Sequence, residues 1–358
     1  MRNFAQSILP TRAKGRVKGE TLSSRRSAAA FLSLILVGVL ALFITSCSGR
    51  DPQDTLSAAG EVAKKQQELF WIIFAWATLV FVLVEGVLLF VLVRFRRRSE
   101  SEMPAQTHGN NRLEIAWTVA PALILIFIAI PTVASIFDLA KEHDVSMRVK
   151  VIGHQWWWEF QYPGLGVVTA NELHIPVGEV VAFDLESADV IHSFWVPKLA
   201  GKQDAVPGRS NPLWVKADAP GTYLGQCAEL CGIQHAQMRL RIVVQEKAQF
   251  DQWVKDQRTP VSAPGAPALV KGSQIVQQKC AACHTVQGLA GAVGKVGPTL
   301  THIGGRGTIA SGVLNNTPEN LARWIRDPQE VKRGALMPAL GLSEDEIQAV
   351  VPYLQSLK

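Results

Sequence analysis

The sequence predicts a multidomain chain with three structural classes in series: a membrane hairpin of two helices, an all-β domain and a small all-α domain. Three observations carry this. Two apolar runs, 69–93 and 113–137, are each long enough to cross a bilayer, which takes about 20 residues of helix. Residues 145–246 break into short runs rich in β-branched and aromatic side chains. Beyond a Pro-rich stretch at 257–270, residues 271–358 read as helical again. A chain of 358 residues, 48% of them hydrophobic, has the length for several such units.

Residues 1–46 have the form of a secretory signal. Arg2, Arg12, Lys14, Arg16, Lys18, Arg25 and Arg26 precede an apolar stretch, 28–44, that is short for a span and ends in small residues. The string Ile44-Thr45-Ser46-Cys47 resembles the lipobox of bacterial lipoproteins, which implies cleavage after 46 and acylation of Cys47. The alternatives are an uncleaved membrane helix and a twin-arginine signal at Arg25-Arg26, although for the latter the apolar residues follow at the wrong distance. The seven basic residues and Glu20 of this segment account for the whole formal charge of +6. The pI near 9.1 therefore does not mark a nucleic-acid binder.

The hairpin occupies 61–140. Arg94, Arg96, Arg97 and Arg98 end the first apolar run, placing the intervening loop in the cytoplasm and everything beyond 138 on the outer face. Glu85 lies mid-span. A carboxylate there faces a partner inside the membrane or forms an interhelical hydrogen bond. Two spans with an embedded acid suggest a subunit docked on a larger membrane protein.

The β-type runs are 147–152, 156–162, 172–175, 180–185, 193–196, 213–216 and 238–244, a sandwich or barrel pattern. In the C-terminal segment the clearest helices are 319–326 and 343–357, the second opened by a Ser343/Glu346 capping box.

The five cysteines all fall in motifs, leaving none for a structural disulfide. Cys227-Ala-Glu229-Leu-Cys231-Gly-Ile-Gln-His235-Ala-Gln-Met238 joins two thiols, an imidazole and a thioether, donors that select copper. One such cysteine suits a single copper; a second in the same loop lets two thiolates bridge two copper ions. His192, in Asp189-Val-Ile-His192, supplies an upstream imidazole. A Cys227 to Cys231 disulfide and a zinc site are the competing readings. The pattern resembles the CuA domain of subunit II of the haem-copper oxidases, over roughly 61–245. That resemblance implies a cupredoxin fold, with Cys227 and Cys231 as bridging ligands. It implies His192, His235, Met238 and the main-chain carbonyl of Glu229 as the other ligands. By the same resemblance the Glu229 side chain helps hold a magnesium ion against the catalytic subunit, which the loop 203–209 faces. Gly153-His154-Gln-Trp156-Trp157-Trp158 resembles the family's aromatic patch, implying that Trp156 receives electrons. The alternative is that these tryptophans are core and rim, with His154 structural. Glu114-Ile-Ala-Trp-Thr resembles the start of the family's second helix, implying a proton-pathway entrance at Glu114; a helix N-terminus also favours a carboxylate there.

Cys280-Ala-Ala-Cys283-His284 is a c-type haem attachment sequence, with two thioethers and His284 as an axial ligand. Together with Gly297-Pro298-Thr299-Leu300 and Met337-Pro338 it resembles the class I bacterial cytochromes c, which makes Met337 the distal ligand. His302 is read as lying near the haem edge or facing solvent. A zinc site would need a second ligand pair, which this segment lacks.

The whole resembles subunit II of a caa-type cytochrome c oxidase with a fused cytochrome c domain. The resemblance implies two copper ions as CuA, one covalent haem c and a magnesium ion. It also implies oxidase subunits I and III, a cytochrome c or cytochrome bc donor, and a bacterial inner membrane with both metal domains outside. Alternatives are the electron-entry subunit of a CuA-containing nitric oxide reductase, a quinol oxidase subunit and a copper-delivery lipoprotein. The last two conflict with the complete copper donor set and with haem plus two spans.

Overall fold

The computed structural model describes residues 34, 37–38, 52–96, 106, 108–141, 144–261 and 264–358. The expected signal segment 1–46, Cys47, Arg97 and Arg98 fall outside or almost wholly outside these residues.

Helices α1 (Glu61–Arg94) and α2 (Asn111–Leu139) form the hairpin, each overrunning its apolar stretch at both ends. Asn110 caps α2, accepting from the amides of Arg112 and Leu113 at 3.1 and 3.3 Å, which fixes where the helix starts. Trp76 stacks on Phe127 between the two helices at 5.9 Å. At the far end the hairpin is tied to itself and to the β-domain. Lys65 Nζ lies 2.6 Å from Asp138 Oδ2, the Glu61 amide donates to Lys216 O at 3.0 Å, and Trp214 Nε1 donates to Leu139 O at 3.0 Å.

The β-domain is a sandwich of two five-stranded sheets. One holds β1 (Met147–His154), β2 (Trp157–Tyr162), β3 (Val167–Ala170), β5 (Val181–Ser187) and β8 (Asn211–Val215) in the order β3-β2-β1-β5-β8. The other holds β4 (Glu172–Pro176), β6 (His192–Trp195), β7 (Gln203–Ala205), β9 (Gly221–Cys227) and β10 (Arg239–Gln245) in the order β4-β10-β9-β6-β7. Pairs β1/β5 and β4/β10 run parallel and the rest antiparallel. Alternate residues of β1 and β10 are buried, as a half-covered sheet requires, and Val149, Val151, Trp158, Phe160, Phe183, Phe194 and Ile242 fill the space between the sheets.

Three strands were not expected from the sequence: β3, β7 and β9. The first two are short, four and three residues. In β9 the glycines at 221 and 225 dilute the alternating pattern. Gly225 is there because the backbone of β6 passes over it: a Cβ would sit 2.7 Å from Trp195 O.

The Pro-rich connection is shorter than 257–270. Helix α3 (Lys247–Arg258) still includes Arg258, and Pro267 already opens α4 (Pro267–Lys279), proline being acceptable at a first helical turn. A two-stranded ribbon, β11 (Thr308–Ile309) and β12 (Leu314–Asn315), precedes α5 (Pro318–Arg326), α6 (Pro328–Val331) and α7 (Glu344–Ser356). The predicted capping box forms, with Glu346 N to Ser343 Oγ at 3.3 Å and Ser343 N to Glu346 Oε2 at 2.8 Å. Val276, Leu321, Ile325, Ile347, Val350 and Leu354 make a second core. Helices α4 and α7 cross at Gly272, where a Cβ would lie 2.2 Å from Ala349 O.

Candidate copper and haem centres

Strand β9 ends at Cys227, and its amide donates to Met238 O at 2.9 Å, closing the loop that leads into β10. Inside the loop the donors converge. Cys227 Sγ lies 3.7 Å from Cys231 Sγ, 3.9 Å from His192 Nδ1 and 3.2 Å from Glu229 O. Cys231 Sγ lies 3.7 Å from His235 Nδ1 and 3.8 Å from Met238 Sδ. His192 and Met238 are 0% exposed, and both cysteines are buried and unbridged. All the residues expected at the copper site are thus brought together, including the main-chain oxygen of Glu229.

Neighbouring groups orient these ligands. Asp189 Oδ1 takes His192 Nε2 at 2.8 Å, which turns Nδ1 toward Cys227. Burial alone would lower the His192 imidazole, but its hydrogen bonds to Cys227 and Asp189 hold it above its ordinary range. In the thiol pair, the hydrogen bond from Cys231 favours a thiolate at Cys227 and in turn pushes the Cys231 thiol up. A soft metal takes such thiols as thiolates and displaces their protons. The loop itself is pinned at Cys231 O, which accepts from Gln155 Nε2 at 2.8 Å and Trp156 Nε1 at 3.0 Å. Gly232 follows with φ +115°, and a Cβ there would sit 3.0 Å from Trp156 Cζ2. Two buried thiols and the His192 imidazole, their ligand atoms all within 4.8 Å of one another, with the His235 imidazole and the Met238 thioether beside Cys231, are a donor set that fits copper.

The tryptophans divide by role. Trp158 is core and Trp157 stacks on His154 at 4.2 Å, while Trp156 touches the copper loop. His154 bonds Glu159 Oε2 at 3.1 Å rather than a donor of the copper loop. Glu229 Oε2 points instead to Lys202 Nζ, at 3.6 Å. Glu114 occupies the first turn of α2 and is exposed.

In the helical domain Cys280, Cys283 and His284 follow α4 directly in a tight turn, His284 N donating to Cys280 O at 2.9 Å. His284 Nδ1 bonds Pro298 O at 2.7 Å, which leaves Nε2 as the nitrogen available to a metal, and burial holds the imidazole below its usual range. Gly297 explains the Gly-Pro-Thr-Leu loop: a Cβ would lie 2.5 Å from His284 Cε1. Burial pushes the Cys280 thiol up to about 11. Val293 and Val296, in the loop that follows the attachment sequence, and Leu336, beside Met337, are largely exposed apolar side chains of the kind a porphyrin covers. These features fit a haem. Met337 is half-buried, its carbonyl accepting from Gln329 Nε2 at 3.2 Å. His302 does not face solvent: it is buried, with Nδ1 on Lys358 O at 2.8 Å.

Two charged residues went unread in the sequence. Glu172 and Lys332 are both buried, and each reaches from one domain to the other. No local motif marks them.

Three family models match the chain. The periplasmic domain of cytochrome c oxidase subunit II matches residues 165–246, its transmembrane domain matches 53–134, and cytochrome c matches 269–358. The chain is 39% identical over 342 residues to cytochrome c oxidase subunit 2 of Alkalihalophilus pseudofirmus, covering 93% of this chain and 98% of that one. It is 38% identical over 346 residues to the protein of the same name from Bacillus sp. strain PS3, covering 90% and 96%. Among solved structures, the periplasmic domain of cytochrome oxidase subunit II from Bradyrhizobium japonicum is 35% identical, covering 32% of this chain and 96% of that one, with a TM-score of 0.32.

Proposed function

The chain belongs to the cytochrome c oxidase subunit 2 family, and from that premise we propose that it is the electron-entry subunit of a respiratory oxidase. It joins the family's membrane hairpin and copper domain to a C-terminal cytochrome c domain. In this reading electrons from a cytochrome c or a cytochrome bc complex pass by way of a covalent haem c to a two-copper CuA centre. They continue to subunit I, which reduces oxygen to water with proton translocation; subunit III completes the core. The chain has no oxygen-reducing site of its own in this scheme and works only in the complex.

The observation that carries this is the convergence of Cys227, Cys231, His192 and Met238, all buried, with the half-buried His235, in a chain that also holds Cys280-Ala-Ala-Cys283-His284. Copper and haem, when bound, supply one-electron chemistry with histidine, thiolate and methionine ligands that tune the potential. The chain's residues do the rest. Cys227 and Cys231 would hold the copper pair as thiolates. His192 and His235 present Nδ1, and Met238 and Glu229 O complete the set. Cys280 and Cys283 would hold the porphyrin through thioethers, and His284 and Met337 would serve as ligands to its iron. Trp156, hydrogen-bonded to Cys231 O at 3.0 Å, is the entry residue for the copper loop. Glu114 serves as the proton entrance, and the Glu229 side chain would help hold a magnesium ion against subunit I. Acylated Cys47 would add a lipid anchor to a multi-pass protein of the bacterial inner membrane, its metal domains on the outer face.

The test is metal and spectral analysis of the full chain matured with haem and copper. Two coppers and one low-spin haem per chain, with the mixed-valence signal of a copper pair, are expected. One copper or none would remove the loop 227–238 from the scheme and leave a membrane-anchored cytochrome.

A further inference from the structure

Trp156 is held from two sides. Its indole donates into the copper loop, while its main-chain carbonyl accepts from two groups of the helical domain, Ser311 Oγ at 2.8 Å and Lys332 Nζ at 2.8 Å. Ser311 sits in the turn of the β11/β12 ribbon. Lys332 follows α6, five positions before Met337. Lys332 is 4% exposed and Trp156 9%. Burial pushes the Lys332 ammonium down to about 7.

A second contact grips the same ribbon from β4. Glu172, 5% exposed, accepts from Gly307 N at 3.0 Å, Thr308 N at 2.8 Å and Thr308 Oγ1 at 2.7 Å. Around these the surfaces fit closely. Arg239 N donates to Ser311 O at 3.2 Å, and Gln234 Nε2 bonds Arg333 O. Gly334, at φ +91°, has room for no Cβ, which would lie 2.9 Å from Ile233 Cγ2 in the copper loop. A polar contact that buries a carboxylate and a lysine amine between two domains is specific in register, because either group left without its hydrogen-bond partners there is costly.

We propose that Glu172 and the Ser311/Lys332 pair lock the helical domain onto the copper domain, so that Trp156 is an internal relay closed to soluble protein donors and fed by the fused domain alone. The proposal rests on the electron-entry reading. The step it serves is simple: one electron leaves a ferrous haem and reaches the oxidised copper pair, with no bond made or broken. Glu172, Ser311 and Lys332 are positioning residues for that step.

The experiment uses the full chain in detergent with Glu172→Ala, Lys332→Ala and the conservative Glu172→Gln. Two readouts are taken: hydroxyl-radical oxidation of Trp156, followed by mass spectrometry, and haem-to-copper electron equilibration after flash reduction. Trp156 should be protected in the parent. In both alanine variants its oxidation should rise and equilibration slow about tenfold, as the docked fraction falls to about a tenth. Haem and copper spectra should stay as in the parent, and Glu172→Gln, which keeps an acceptor for Thr308, should lie between. Parent Trp156 oxidised as fast as free tryptophan would overturn the proposal, as would alanine variants matching the parent in both readouts. Loss of protection in a chain that takes up no copper or haem would support the lock and sink the electron-entry reading, so the two failures are separable.

Discussion

Asp189→Ala isolates how much of the copper site is made by orientation rather than by ligands. Asp189 Oδ1 holds His192 Nε2 at 2.8 Å and so aims Nδ1 at Cys227 Sγ, 3.9 Å away. Removing the carboxylate leaves every proposed ligand in place but frees the ring to turn. Loss of such an outer hydrogen bond costs about 10–100-fold in metal affinity, or about 1.4–2.7 kcal/mol. Asp189 also accepts from Gln155 N at 2.6 Å and Val190 N at 2.7 Å. Both contacts lie at an exposed loop where water replaces them, so the cost to folding should stay near 1 kcal/mol. The assay is copper competition against a chelator at pH 8, where protons compete least, with the haem spectrum as the check on folding. Affinity equal to the parent's would mean that packing alone orients His192, and the argument from Asp189 would fail.

Met238→Leu conserves volume in a fully buried position, so stability should fall by less than about 1.5 kcal/mol while the paramagnetic copper signal changes and the haem spectrum does not; an unaltered copper signal would take Met238 out of the site. Gly297→Ala drives a methyl to within 2.5 Å of His284 Cε1, an overpacking worth about 1–3 kcal/mol, and should lower the haem attached per chain. Full haem content would show that the loop can retreat. Glu114→Gln should slow oxygen turnover of the assembled complex without altering haem-to-copper transfer; normal turnover would leave Glu114 a carboxylate placed for the helix N-terminus.

Much of the architecture was legible because its signals are local. Long apolar runs, the spacing of Cys227, Cys231, His235 and Met238, and the run from Cys280 to His284 each declare themselves within a few residues. What was lost depends on contacts distant in sequence. Strand β9, which carries Cys227, was hidden because Gly225 answers to Trp195 and Val196 rather than to its own neighbours. Helix α3 went unread between a strand and a proline-rich stretch; its N-cap position, Glu246, makes no side-chain capping bond. The adjacent tryptophans could not be sorted by sequence, since only the fold decides that Trp158 is core and Trp156 meets the copper loop. Glu172 and Lys332 pair with residues more than a hundred positions away, and in sequence they are an ordinary acid and an ordinary base.

The ties at the outer end of the hairpin make the membrane segment a lever for the copper domain. Glu61 N with Lys216 O and Trp214 with Leu139 O tie both helices to the sandwich, and Lys65 with Asp138 ties them to each other. A helix turns about 100° per residue, so one residue inserted in α1 just inside these ties would swing its intramembrane face, Glu85 included, by that angle against the copper loop. The hairpin is therefore a gauge: its ties to the sandwich couple the rotation of its apolar face to the side that the β-domain offers to a membrane partner.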